Sequence, residues 1–154
     1  MNLQENFDCT QFITFDTKLN NIEVIEFLHL FNNIGLNIIS QDEISIIKKE
    51  YLKKYFKSNV YELKNDTFLG NLDEWLNISD NPPKSVSNFI EVIRTVYKSK
   101  NIFNLTIILT SFAQYGKTSD QVFDISIDEI EYYLFLMSFN SHSPTIDNLI
   151  LHIK

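Results

Sequence analysis

The chain has 154 residues, 44% of them apolar and 14% aromatic, and a formal net charge of −7. One domain of this length buries enough apolar surface to fold without a metal or a disulfide, and the single cysteine, Cys9, excludes an intrachain disulfide. The acidic balance and the single arginine, Arg94, argue against binding to nucleic acid or nucleotides, which requires clustered positive charge. We therefore expect one globular domain spanning 1–154 in a reducing compartment, the cytoplasm.

No stretch of the sequence predicts a secretion signal or a membrane segment. The first residues, 1–6, contain neither the basic nor the apolar region that a signal peptide needs. The longest apolar stretches, 107–109 and 132–137, are far shorter than the roughly 20 residues of a membrane-spanning helix. We expect no membrane association.

The first elements in chain order are a short strand and a helix. Residues 10–15 are rich in β-branched and aromatic side chains, which favours a short strand. In 21–34 apolar side chains recur at helical spacing, and an asparagine precedes them in the position of an N-cap. Gly35 follows where a left-handed residue commonly ends a helix. This pattern predicts a helix over 21–34.

Three further helices are predicted in the middle of the chain. Residues 40–43, Ser-Gln-Asp-Glu, have the pattern of a capping box and predict a helix that runs to about Lys57. Asp66 is positioned as the cap of a shorter helix over 66–76. Asn81-Pro82-Pro83 predicts the start of a long helix, because proline is tolerated in a first helical turn.

Two segments after residue 100 have mixed signals. Residues 103–115 place apolar side chains at helical spacing, but the β-branched run 106–108 leaves a strand as the alternative. Residues 123–127 alternate between apolar and polar side chains, as a strand does.

The last elements are predicted to be helices, and together the elements predict a helical fold. Residues 126–129 repeat the capping-box pattern and begin a helix whose run 132–137 is apolar nearly all round, which predicts a buried, central position. Ser143-Pro144 begins a predicted C-terminal helix that continues to Ile153. The fold class expected is mostly α: a compact bundle of about six or seven helices with at most one or two short strands.

The sequence contains no motif for catalysis, metal binding or nucleotide binding. Its imidazole and thiol groups have no metal-ligand spacing; they belong to His29, His142, His152 and Cys9. The segment Gly116-Lys117-Thr118 lacks the upstream glycine of a phosphate-binding loop, and no nucleophile elbow is present. We therefore predict no cofactor, no metal and no enzymatic activity.

An acidic segment near residue 125 is the candidate binding site. Its carboxylates follow one another without an intervening base and lead directly to tyrosines, an arrangement suited to docking on a basic protein surface. The alternative is a solvated face that serves solubility alone. The predicted partner-binding residues are Asp120, Asp124, Asp128, Glu129, Glu131 and Tyr132.

In overall profile the chain resembles the immunity proteins of bacterial toxin–immunity pairs, such as those of contact-dependent growth inhibition systems. The shared features are small size, acidic charge and an abundance of Asn, Ile, Lys, Phe and Tyr, which is typical of AT-rich coding sequences. The resemblance implies a cytoplasmic protein that neutralises a toxin domain, commonly a basic nuclease, by forming a stoichiometric complex. Two alternatives stay open: a secretion chaperone or adaptor protein, and an enzyme without a recognisable motif.

Overall fold

Six strands form one mixed sheet in a computed structural model of the protein. The structure describes residues 10–40, 43–44, 50, 52–64, 82–110, 120–140 and 148–154. The strands are β1 (Thr10–Thr17), β2 (Asn37–Ser40), β3 (Asn59–Lys64), β4 (Ile102–Thr110), β5 (Asp120–Ile125) and β6 (Asn148–Ile153). Their order across the sheet is β2-β3-β1-β4-β6-β5, and all neighbours are antiparallel except β5 and β6. Among the described strands, β2 and β5 therefore form the two edges.

Three α-helices accompany the sheet in the described part of the chain: α1 (Asn21–Asn32), α2 (Lys84–Lys98) and α3 (Ile130–Asn140). Short 3-10 turns lie at Lys53–Tyr55 and Ile127–Glu129. Helix α3 lies between β5 and β6 in sequence and makes the crossover that parallel strands require.

Local chemistry explains where α1 begins and ends. The Asn20 side chain accepts a hydrogen bond from the Glu23 amide at 2.9 Å, and the Glu23 carboxylate accepts one in return from the Asn20 amide at 3.3 Å. This capping box satisfies amides that the first turn cannot pair internally. Beyond the helix, Gly35 has φ of 87°, a left-handed conformation that costs glycine little.

The main hydrophobic core lies between the three helices and one face of the sheet, which we call the helix face. Ile13, Ile107 and Leu151 point to this face, whereas the adjacent Ile108 and Ile150 point to the second face and pack there with Leu52. Burial of each such side chain stabilises the fold by about 1.5–3 kcal/mol. The central strands are thus buried on both sides.

The prediction of a mostly α bundle with six or seven helices is wrong, because the described residues form a six-stranded mixed sheet with three helices. The predicted C-terminal helix through Ile153 is strand β6. Its run of apolar side chains fills both faces of a central strand, and such a run has the same composition as a buried helix. Much of the helix predicted from residue 40 to about Lys57 lies outside the described residues. At its predicted end the chain forms the 3-10 turn at Lys53–Tyr55, which is followed by the unpredicted strand β3.

Other predicted elements are confirmed. Strand β1 covers 10–15, α1 and α2 lie where their caps indicated, and β5 agrees with the alternation at 123–127. Residues 102–110 form β4, so the strand alternative for that segment is correct. The helix predicted over 66–76 lies outside the described residues.

Helix α3 exists as predicted but is not buried all round. Ile130 and Leu134 are fully buried, whereas Tyr132 is 61% exposed. The helix lies on the sheet with one side to solvent. None of the described helices combines the length and apolarity needed to cross a membrane.

Candidate functional site

The predicted acidic site lies along the β5 edge of the sheet and continues into α3. In the part of the chain that the structure describes, β5 pairs with β6 alone, in parallel register from Asp120–Asn148 to Ile125–Ile153. Phe123 and Ile125 contribute to the core on the helix face. Strand alternation therefore places Asp120, Val122 and Asp124 on the second face.

Asp120, the first predicted partner-binding residue, is the centre of a hydrogen-bonded cluster. Its side chain is 16% exposed and lies 3.3 Å from Lys54 Nζ. One carboxylate oxygen accepts a hydrogen bond from the Tyr55 hydroxyl at 2.5 Å, and the other accepts one from Asn148 Nδ2 at 2.7 Å. The cluster joins the 3-10 turn at Lys53–Tyr55 to β5 and β6. Asp120 is thus an anchor of the fold.

The electrostatics of this cluster favour an ionised Asp120. Burial acts to raise the pKa of Asp120, but hydrogen bonds from Tyr55, Asn148 and Lys54 outweigh burial and hold the pKa below its ordinary value. Burial and the bond to Asp120 in turn raise the pKa of the Tyr55 phenol. Tyr55 therefore serves as a fixed hydrogen-bond donor.

The remaining predicted residues are exposed and contiguous. Asp124 is 60% exposed and lies 3.7 Å from Lys154 Nζ, and Tyr132 is 61% exposed at the start of α3. An exposed ion pair of this kind contributes about 0–1 kcal/mol, so the Asp124 carboxylate adds little to stability. We call this set, together with the 46% exposed Val122, the β5–α3 edge surface; its residues are Val122, Asp124, Asp128, Glu129, Glu131 and Tyr132.

Glu129 has a structural role in addition to its exposed position. Its carboxylate accepts a hydrogen bond from the Ser126 amide at 2.9 Å, within the predicted capping box. The box begins the 3-10 turn that leads from β5 into α3 and so holds Asp128 and Glu131 beside the strand.

Two further aromatic residues, which were not among the predicted partner-binding residues, support Tyr132. The ring of Tyr133 lies 5.2 Å from that of Tyr132 in an edge-to-face arrangement and 4.8 Å from the ring of Phe123. These contacts hold Tyr132 on the β5–α3 edge surface and reduce the entropy that it would lose on binding. The alternation of apolar and polar residues in 123–127 predicted that Phe123 faces the core. Nothing in the sequence predicted that its ring contacts Tyr133 of α3.

The described residues contain no group of three or more His, Cys, Asp and Glu side chains that could hold a metal ion. His29 lies exposed on α1 and His152 lies on β6, so the structure does not bring these two together. Cys9 and His142 lie outside the described residues.

Comparisons with known proteins found no family model, no curated protein and no solved structure that matches this chain.

Proposed function

We propose that the protein is a stoichiometric binding protein for a basic protein partner, and that it acts in the cytoplasm as an immunity protein for a toxin domain. The observation that carries the proposal is the β5–α3 edge surface: an edge strand with exposed carboxylates and a supported tyrosine beside it. The described surface therefore combines the three components of a protein interface: hydrogen-bonding groups, charge and an aromatic anchor.

The edge of β5 supplies the hydrogen-bonding groups. Among the described strands it has a neighbour on one side, so its other side presents main-chain amides and carbonyls to a partner. An extended segment of a partner can add to such an edge as a further strand. The exposed Val122 is positioned to pack against that segment.

The carboxylates supply selectivity for a basic partner. Asp124, Asp128, Glu129 and Glu131 all belong to the same short stretch of a chain with net charge −7. Such a field attracts a positive surface and accelerates encounter. A nuclease domain binds phosphates with positive charge, and carboxylates are complementary to the same groups.

Tyr132 supplies the anchoring area. Aromatic residues with a polar tip are enriched among the residues that dominate binding energy. A surface that served solubility alone would need only the carboxylates, and an exposed tyrosine and valine would work against it.

The first experiment isolates the tagged protein from its native host and identifies the bound species by mass spectrometry. We expect one stoichiometric, basic protein partner whose toxicity is suppressed when the two proteins are co-expressed. Recovery of many unfolded secretion substrates would instead support a chaperone. A preparation without any partner would contradict the proposal.

The decisive measurement compares two triple charge reversals with that purified partner. Changing Asp124, Asp128 and Glu131 to Lys should weaken binding about a hundredfold or more, because it replaces attraction by repulsion. The matched control changes Glu26, Glu50 and Glu91 to Lys; these three residues are exposed and do not belong to the β5–α3 edge surface. Equal affinities for the two variants would exclude the β5–α3 edge surface as the interface.

A further inference from the structure

A cleft of about 560 Å³ opens at the end of the sheet where β4 and β6 separate. The ladder between these strands begins at Thr106 and His152; the earlier part of β4 pairs only with β1. The polar groups that line the cleft come from five parts of the chain and belong to Lys57, Tyr97, Asn104, Thr106, Asp124, His152 and Lys154. Its volume is within the range of small-molecule sites.

His152 is held in one orientation in this cleft. Its Nδ1 lies 2.8 Å from the hydroxyl of Thr106, which is fully buried. That hydroxyl also lies 3.3 Å from the Asn104 carbonyl oxygen, to which it can donate. In the protonated imidazole Nδ1–H donates to the hydroxyl in return. No described residue is hydrogen-bonded to Nε2, the other ring nitrogen. Nε2 is therefore the nitrogen that a ligand in the cleft can reach.

Positive charge predominates around the cleft, although the whole protein is acidic. Lys57 is fixed through its main chain, whose amide donates to Thr14 Oγ1 at 2.6 Å. Lys154 pairs with Asp124 at 3.7 Å and so offsets the carboxylate that lines the same wall. Lys18 adds a further charge, 5.4 Å from the centre of the Phe103 ring, which also lines the cleft.

The backbone at the mouth of the cleft is strained. Asn104 has φ of 54°, which is uncommon for a residue other than glycine, and the β1–β4 register shifts between Thr14 and Asp16. Asp16 stabilises this conformation by accepting hydrogen bonds from Asn104 Nδ2 at 2.9 Å and from the Ser58 amide at 3.0 Å. Residues that their surroundings hold in such rare backbone conformations occur often at ligand-binding sites.

We propose that the cleft between β4 and β6 binds a small organic anion, whose phosphate or carboxylate group is held by Lys57 Nζ and His152 Nε2. Thr106 is a positioning residue that orients the imidazole. Phe103, which is 39% exposed, provides an aromatic contact for the organic part of the ligand. Asp124 lines both this site and the β5–α3 edge surface, whereas the other residues of that surface do not line the cleft.

Binding of an anion should depend on pH through His152. Burial and, to a smaller extent, Lys57 hold the pKa of free His152 below its ordinary value, and Asp124 opposes them. A bound anion stabilises the protonated imidazole and raises this pKa, so affinity should increase as the pH falls through the range in which His152 gains its proton. The other charged or titratable groups at the cleft are Asp16, Lys18, Lys57, Tyr97, Asp124 and Lys154.

The test follows the three histidine rings by NMR while inorganic phosphate or acetate is added to the full-length protein. We expect saturable shifts of the His152 ring signals and a higher His152 pKa in the presence of either anion, with His29 as the internal reference. Acetate separates the titration of His152 from that of phosphate, because a carboxylate keeps a constant charge above about pH 6. Tighter binding of phosphate would indicate a phosphorylated ligand, and similar affinities would indicate a carboxylate.

Variants make the assignment specific. Lys57→Gln should weaken binding about tenfold, because it removes one charge-assisted hydrogen bond. Lys64→Gln, at the other end of β3, is the matched control and should leave affinity unchanged. An unchanged His152 pKa with both anions, or equal losses for Lys57→Gln and Lys64→Gln, would overturn the proposal.

Discussion

At the scale of single residues, Asp120 and Asp124 show how two carboxylates of one strand acquire different roles. Both lie on the second face of β5, but Asp120 accepts hydrogen bonds from Tyr55 and Asn148, whereas Asp124 is mostly exposed. The sequence analysis grouped them because both are acidic and close in the chain. The partners of Asp120 are distant in sequence, so only the folded chain could separate the two.

We expect Asp120→Ala to lower the free energy of unfolding by about 2–4 kcal/mol, because it leaves the half-buried hydroxyl of Tyr55 and the buried amide of Asn148 unpaired. Asp124→Ala is the matched control and should change it by less than about 0.5 kcal/mol, since its ion pair is exposed. Urea denaturation of the two variants checks this difference. Similar losses would show that Asp120 is not an anchor.

The same cluster makes stability depend on pH. The folded state holds the pKa of Asp120 below its ordinary value. The contribution of ionised Asp120 to the free energy of unfolding is therefore fully present above the unfolded pKa of about 3.9. It is lost as the pH falls through the folded-state pKa. Asp120→Asn should therefore flatten the acid side of the stability curve between about pH 5 and pH 2.

At the scale of elements, β6 explains why the helical prediction failed. Leu149 and Leu151 face the helices and Ile150 faces the second side, so each has a buried environment. A strand buried on both sides loses the alternation that identifies a strand. The helices and edge strands, by contrast, keep one solvent side, and their periodicity was interpreted correctly for α1, α2 and β5.

Substitutions in β6 and β5 test this difference in burial. Leu151→Ala should destabilise the protein by about 2–5 kcal/mol, because it leaves a cavity under the helices. Val122→Ala on the edge strand should cost less than about 1 kcal/mol, because that side chain is already 46% exposed. The midpoints of urea unfolding measure both. Comparable costs would contradict a central position for β6.

At the scale of the whole molecule, the sheet joins distant parts of the chain. Phe12 in β1 pairs with Ile108 in β4, and Ile108 pairs in turn with Ile150 in β6. Such contacts form only after long loops have closed, which slows folding relative to a helical bundle.

Refolding kinetics provide a test of this architecture. We expect the main refolding phase to take roughly milliseconds to seconds, as in other domains rich in non-local strand pairing. Stopped-flow dilution from urea, monitored by the fluorescence of the single tryptophan, Trp75, and by far-UV circular dichroism, measures the rate. Completion within microseconds would be the behaviour of a local helical bundle and would contradict the sheet.

The sequence by itself determined the local features of this protein: the caps of α1 and α3, the starts of the helices, and the acidic stretch with Tyr132 beside it. These depend on residues within a few positions of one another, where side-chain chemistry acts directly on the backbone. Only the tertiary structure decided that the apolar segments form a sheet, that Asp120 is an anchor, and that Thr106 and His152 meet at a cleft. Those outcomes depend on which distant strands pair, and the free energy that selects the pairing comes from burial on both faces of the sheet, which no short stretch of sequence encodes.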